Sequence, residues 1–159
     1  MKFYEAQNYQ PSLRVLFERL RETLRAALPF AKIEHVGSSS IHGAISKGDL
    51  DIFVGVSKTE FSSAVKKLEN LGFRPKEDTL RAESLCMFIT SEDFGADVAI
   101  QLVELGSKFE YFIEFRDCLN SQPSLVEEYN SLKKDSEHLD SKEYRVKKSD
   151  FISKVLGKS

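Results

Sequence analysis

The run Asp49-Leu50-Asp51-Ile52-Phe53-Val54 constrains the fold more than any other stretch of the chain. Leu50 to Val56 is rich in β-branched and aromatic residues and reads as a strand. Alternate residues of a strand share a face, so Asp49 and Asp51 project to one side with Cα atoms roughly 6.6 Å apart. Their neighbours Leu50, Ile52, Phe53 and Val54 make the strand a buried one. Two charges at the head of such a strand are costly unless a metal or a positive group compensates them. Carboxylate oxygens are hard ligands that suit Mg²⁺, and a pair on one rigid element can hold an ion against substrate phosphates. A strand start open to solvent shows the same Asp-x-Asp spacing, so the pair alone does not decide between the two.

The surrounding pattern gives this strand its company. Leu13, Leu16, Phe17, Leu20, Leu24 and Leu28 recur at three- and four-residue steps, which predicts an amphipathic helix opening at Pro11-Ser12 and ending near Pro29. Lys32 to Val36 is a short strand. Thr59 to Leu71 is a helix stopped at Gly72, with a short strand at Phe73-Arg74-Pro75. Strands follow at Leu85 to Thr90 and Ala96 to Val103, with a turn at 91–95 between them. From Ser107 the pattern is helical through Leu119, Pro123 starts another helix, and Asp150 to Leu156 forms a third. Strands with interspersed helices predict an α/β or α+β fold, a sheet with helices packed on it. With 159 residues, 41% of them hydrophobic, the expectation is one domain made of an N-terminal helix (1–30), a sheet core (31–106) and C-terminal helices (107–159).

Charge and cysteine usage narrow the classes of function. A net charge of −2 and a pI near 6.0 give no overall drive toward nucleic acid or anionic membrane. Lys133-Lys134 and Lys147-Lys148 are too short to make a basic stripe, so extended nucleic-acid binding is not expected. Nowhere do eighteen apolar residues follow one another, and no apolar run follows a basic start, so neither a membrane span nor a leader is expected. Cys86 and Cys118 read as reduced thiols, which with the rest predicts a cytoplasmic protein.

Ten residues upstream of Asp49 the first strand runs into Gly37-Ser38-Ser39-Ser40. A glycine there lets backbone amides approach a phosphate, and the serine hydroxyl adds a donor; an ordinary serine-rich turn remains the competing reading. His35 and His42 flank this turn, His35 as a structural histidine and His42 within the loop that would meet substrate. Lys47, Arg74 and Arg81 lie near strand ends, where cations can neutralise phosphate oxygens or simply face solvent. Phe115-Arg116-Asp117 and Tyr129 with Lys133 sit at helical spacings and read as packing of the helical tail with local ion pairs.

Val36-Gly37-Ser38 with Asp49-Leu50-Asp51-Ile52 resembles the nucleotidyltransferase superfamily that includes DNA polymerase beta. Its pattern is an apolar residue, Gly, Gly or Ser, nine to thirteen residues, then Asp, an apolar residue, Asp or Glu, and an apolar residue. Within it, Ile33 to Gly43 and Lys47 are similar to the opening signature of the GrpB family. The similarity continues through Glu104, Gly106-Ser107, Phe115-Arg116-Asp117, Glu128-Tyr129, Leu132-Lys133, Tyr144, Lys148 and Phe151-Ile152. The chain departs from that family at Asp49, where an apolar residue is usual, at His42, where proline is usual, and at Ala99-Ile100-Gln101, where the family has His-apolar-His.

The resemblance implies a nucleotidyltransferase fold, a mixed sheet with flanking helices and a helical tail. It also implies a metal-dependent enzyme that moves a nucleoside monophosphate from a triphosphate to a hydroxyl acceptor, or else a non-catalytic nucleotide- or protein-binding domain. The implied catalytic and metal-holding residues are Asp49, Asp51 and a third carboxylate on a neighbouring strand, Asp97. Gly37, Ser38, Ser39, His42, Lys47 and Arg81 would bind the substrate. Mg²⁺, with Mn²⁺ as its alternative, is the expected cofactor.

Overall fold

The computed structural model describes residues 1–157, so the last two positions of the expected 107–159 region lie outside the described residues. The element order is α1 (Ala6–Ala27), β1 (Lys32–Val36), β2 (Leu50–Val56), α2 (Phe61–Asn70), β3 (Phe73–Pro75), β4 (Leu85–Thr90), β5 (Val98–Glu104), α3 (Tyr111–Ser121), α4 (Pro123–Asp135) and α5 (Ser141–Val155). The strands form one mixed sheet in the order β1-β2-β5-β4-β3. β2 and β5 run parallel at its centre, and the other neighbours are antiparallel. This is a mixed α/β architecture with helices packed on both faces of the sheet.

Both faces of β2 are covered, as its unbroken apolar run requires. On one face Ile52 and Val54, with Ile100 and Leu102 of β5, meet the apolar stripe of α1 (Leu13, Leu16, Phe17, Leu20, Leu24) and Leu68 of α2. On the other, Val36, Phe53 and Val103 pack with Phe109, at the entrance to α3. A third cluster joins Phe115 and Leu119 of α3, Val126 and Tyr129 of α4 and Phe151 of α5 to Ile41 and Ala44. The C-terminal helices are therefore packed on the loop between β1 and β2.

Two helices begin well before their expected starts. α1 begins at Ala6 instead of Pro11, because Tyr9 and Gln10 are buried and anchor the first turns to that loop: the Tyr9 hydroxyl donates to the Ala44 carbonyl (2.8 Å) and Gln10 Nε2 donates to the Ile41 carbonyl (2.8 Å). Pro11 is accommodated inside the helix. α5 begins at Ser141, nine residues before the expected Asp150. Its N-cap is Asp140, whose Oδ1 accepts from the Glu143 amide at 2.8 Å, so Asp140-Ser141-Lys142-Glu143 is a capping sequence that the weak apolar periodicity concealed.

Candidate functional site

The antiparallel register of β1 on β2 sets Val36 opposite Asp51, so the chain leaving β1 turns directly over the second carboxylate. Gly37 makes that turn at φ +74°, and a Cβ placed on it would lie 2.9 Å from the Asp51 Cβ. Both the backbone conformation and the close approach exclude a side chain here. The turn continues as a 3-10 segment over Ser38–Ser40, closed by the Ser40 hydroxyl donating to the Gly37 carbonyl at 2.6 Å.

The rest of the loop is fastened from outside. Asn120 of α3 accepts from the His42 amide (2.9 Å) and donates to the Ser40 carbonyl (3.1 Å). Asn130 of α4 accepts from the Ile45 amide (2.9 Å) and donates to the Gly43 carbonyl (2.9 Å). Each asparagine amide supplies one donor and one acceptor, as a paired strand would. Lys133 of α4, 2% exposed, donates through Nζ to Ser38 Oγ and to the Ile45 carbonyl, both at 2.5 Å. Its ammonium lies 4.0 Å from the centre of the Tyr129 ring, and Tyr129 OH shares a 3.3 Å hydrogen bond with Ser38 Oγ.

The charges explain how the acidic pair survives at the head of a buried strand. Burial, and then the neighbouring Asp49 charge, push the Asp51 carboxyl up to about 6, while Lys148, Lys47 and Lys133 oppose the rise. Lys148 of α5 is held protonated by Tyr129 first, then by Tyr144, Asp51 and Asp49, against a burial that disfavours its charge. Burial pushes Lys133 well below the ordinary lysine range, Lys148 adds to that, and Asp49 and Asp51 counter it. Of the two compensations anticipated for the acidic pair, a metal or a positive group, the protein itself supplies the second.

Lys133 and Lys148 were not among the expected site residues; the sequence reads Lys133 as tail packing and Lys148 only as a position similar to the GrpB family. Each stands four residues after a tyrosine, as Tyr129-x-x-x-Lys133 and Tyr144-x-x-x-Lys148. That spacing puts tyrosine and lysine on one helix face, and its repetition on two helices is the signal that could have found them. The tail packing is real as well: Tyr129 stacks on Phe151 (5.3 Å) and meets Phe115 edge-on (5.5 Å).

The other expected residues divide. Leu50 pairs with Val98 in parallel register and its amide donates to the Asp97 carbonyl at 2.8 Å, so one step back along both strands Asp97 stands across from Asp49. Asp49, Asp97 and Lys47 line one cavity of about 1050 Å³. Asp51 is not part of its lining, and among the described residues no group of three or more His, Cys, Asp or Glu gathers as a metal site.

Ser39 is buried and turned inward, sharing a 2.7 Å hydrogen bond with His35 Nε2. His35 stacks on Phe17 (5.0 Å), and burial, with Arg116 and Arg14, lowers it to about 4; it is a neutral structural histidine. His42 is exposed, and its backbone is what the fold uses. Arg116 bridges Asp117 (2.9 Å) and Glu34 (3.1 Å). Arg81 stands apart: it lies over the Phe61 ring and donates to the Leu85 carbonyl. Leu85 pairs with Val103, about 20 Å along β5 from the acidic end.

A mixed five-stranded sheet with a glycine-serine turn clamped over an acidic pair at one end is a nucleotidyltransferase-like fold. The chain belongs to the GrpB family, whose model, described as GrpB protein, matches residues 5–158. It is 50% identical to a UPF0157 protein of Vibrio cholerae over the whole chain and 84% of that relative. A UPF0157 protein of Deinococcus radiodurans is 27% identical over 88% of this chain and 73% of its own length. Among solved structures, conserved protein GrpB from Enterococcus faecalis superposes with a TM-score of 0.75 at 23% identity, over 97% of this chain and 94% of that one. The Cid1 poly(U) polymerase, in a MgGTP-bound structure, shares the fold with a TM-score of 0.52 at 22% identity, over 73% of this chain and 37% of that one. No helix of the described residues is long and apolar enough to cross a membrane.

Proposed function

We propose that this protein binds a nucleoside triphosphate with Mg²⁺ and transfers its nucleoside monophosphate group to a hydroxyl-bearing acceptor. The observation that carries the reading is the close approach of Gly37 to Asp51, which sets a turn of backbone directly over the second carboxylate of the pair. Amides of such a turn bind phosphate oxygens. Lys148, in the field of Asp51, provides a cation for the outgoing phosphates, while the buried Lys133 fixes the Ser38 hydroxyl of the turn.

The residues fit a hard divalent cation. Asp49 and Asp51 are two oxygen donors, burial and then the Asp49 charge raise Asp51, and a cation held by the pair would relieve both costs. Mg²⁺ takes one or two carboxylates and completes its shell with substrate phosphates and water, so a third protein ligand is not required. When bound, it neutralises charge developing on the phosphates. Asp97, across β5 from Asp49, accepts the proton of the attacking hydroxyl. Burial of the loop by α3 and α4 fixes the turn before substrate arrives, so ordering it costs little on binding.

The test is a melting series with ATP, GTP, CTP and UTP, each with and without Mg²⁺, followed by assay of pyrophosphate release. A rise in melting temperature with at least one triphosphate, dependent on Mg²⁺, and pyrophosphate release with a suitable acceptor are expected. Melting unmoved by all four sinks the reading, and a rise without transfer to any acceptor leaves a nucleotide-binding domain.

A further inference from the structure

Three serines follow Gly37, and their hydroxyls have different partners. Ser40 donates to the Gly37 carbonyl, and Ser39 is turned inward onto His35. Ser38 meets an amine: its Oγ lies 2.5 Å from Lys133 Nζ and 3.3 Å from the Tyr129 hydroxyl. It is half-buried, so unlike Ser39 it is not sealed inside the loop.

Lys133 has no counter-ion at hand. Among the described residues no carboxylate lies within 4.0 Å of its nitrogen. Its neighbours are the Ser38 hydroxyl, the Ile45 carbonyl and the rings of Tyr129 and Phe3, all uncharged. An amine 2% exposed and without a partner ion favours its neutral form. Burial, with Lys148 and Lys47, outweighs the more distant Asp49 and Asp51, which favour the ammonium. Deprotonated, Lys133 keeps both of its contacts: it still donates to the Ile45 carbonyl and now accepts the Ser38 hydroxyl proton. An adjacent base of this kind makes a serine a nucleophile, and the Tyr129 hydroxyl, donating to Oγ, orients it.

We propose that Ser38 is a self-modification site, whose hydroxyl, with Lys133 as base, takes the terminal phosphoryl group of the bound nucleoside triphosphate. The inference rests on the triphosphate reading above and adds a second fate for that substrate, in which the protein itself is the acceptor. That reading sets the outgoing phosphates on the turn and Lys148, and the α-phosphorus toward Asp97, where the acceptor hydroxyl loses its proton. The phosphorus beside Ser38 is then the γ-phosphorus.

In the step, Ser38 Oγ forms a bond to the γ-phosphorus, the bond from that phosphorus to the oxygen bridging to the β-phosphate breaks, and the nucleoside diphosphate leaves with that electron pair. The hydroxyl proton passes to Lys133 Nζ. The product supplies the counter-ion that Lys133 lacks, because phosphoserine and the new ammonium form a charge-assisted pair. It also sets a charge of about −1.5 to −2 over Asp51, in the place of a substrate phosphate, so the modified protein no longer binds triphosphate.

The test is incubation of the wild-type protein and Mg²⁺ with ATP, GTP, CTP and UTP radiolabelled at the γ- or the α-phosphorus, followed by mapping of the labelled peptide. The expected result is γ-label on Ser38 with at least one triphosphate, dependent on Mg²⁺, and no α-label there. The labelled fraction should have lost the Mg²⁺-dependent melting shift. Ser38→Ala should abolish the label, and Lys133→Met, which keeps the bulk of the side chain, should slow labelling by about 10²–10⁴-fold. Phenylmethanesulfonyl fluoride, a neutral electrophile that needs neither nucleotide nor metal, should modify Ser38 ahead of Ser39 and Ser40 in the wild type, which reports the activated hydroxyl even if the lysine variant does not fold.

A triphosphate that raises the melting temperature and leaves Ser38 unlabelled overturns the inference. So does label on Ser39, Ser40 or another residue in place of Ser38, α-label on Ser38, or an undiminished rate in folded Lys133→Met. If no triphosphate moves the melting curve or labels the chain while the fluoride still modifies Ser38, it is the nucleotide reading that fails and the nucleophile that stands. If the fluoride fails as well, both are lost.

Discussion

At the scale of single residues the site is governed by one unfavourable group. Asp51 is held at about 6 in the folded chain, above the 3.8 of a free carboxyl, so the folded state binds its proton more tightly than the unfolded state. Stability from this group is therefore present at low pH and lost as pH rises through about 4 to 6, a cost of about 3 kcal/mol at neutral pH. His35 acts in the opposite sense. Its folded value of about 4, below the ordinary 6.5, makes stability fall as pH drops through the same window. The two groups therefore offset one another in part over this range in the metal-free wild type. Asp51→Asn removes one side of that balance: its melting temperature should exceed the wild type's near pH 8 and fall on acidification, while its Mg²⁺-dependent triphosphate binding is lost. Scanning calorimetry of both proteins across this range checks it, and a variant less stable than wild type at pH 8 would make Asp51 a structural residue. Gly37→Ala should cost about 1–3 kcal/mol, since it adds a Cβ against Asp51 at a positive φ; a denaturant midpoint unchanged from wild type would show that the turn yields.

At the scale of elements the useful distinction is between features written in a local pattern and features made by distant ones. β2 and the apolar stripe of α1 were legible because burial imposes periodicities of two and 3.6 on short stretches. The Gly-Ser turn and the acidic pair were legible because their spacing is local. α5 was placed nine residues too late because its outer positions, including Val146 at 59% exposed, blur the helical stripe. The clamp on the loop was not legible at all: Asn120 and Asn130 lie on helix surfaces, where asparagine carries no signal, and their partners His42 and Ile45 lie 78 and 85 residues away. Its role can be measured. Asn130→Ala leaves the Ile45 amide and the Gly43 carbonyl unpaired, which costs about 1–3 kcal/mol where these groups are shielded from water. The Ile45 amide should then exchange with solvent faster by one to two orders of magnitude, and triphosphate affinity should fall with the fold otherwise intact. Unchanged exchange at Ile45 would show that the loop is held by Tyr9, Gln10 and Lys133 without the asparagine.

At the scale of the whole molecule the site belongs to no single segment. The turn and the acidic pair come from the first third of the chain, Asp97 from the head of β5, and the two lysines from α4 and α5, so the helical tail is as much a part of the site as the sheet. Under the proposed function this assembly separates the residues that would hold a triphosphate from the one that would use it. The turn, the Asp49/Asp51 pair, Lys133 and Lys148 lie together, whereas Asp97 meets them only across the β2–β5 pairing, where its backbone carbonyl accepts from Leu50 and its exposed side chain faces the cavity with Asp49. Replacing Asp97 by alanine keeps that backbone bond and removes only the carboxylate. Asp97→Ala should therefore melt within about 0.5 kcal/mol of wild type, as surface substitutions do, and show the same Mg²⁺-dependent stabilisation by triphosphate. Its rate of pyrophosphate release should drop by about 10²–10⁴-fold, the range expected when a positioned base is removed. Loss of triphosphate binding in Asp97→Ala would place this carboxylate with Asp49 and Asp51 as a ligand to the metal, and unimpaired transfer would assign the proton to another acceptor in the cavity.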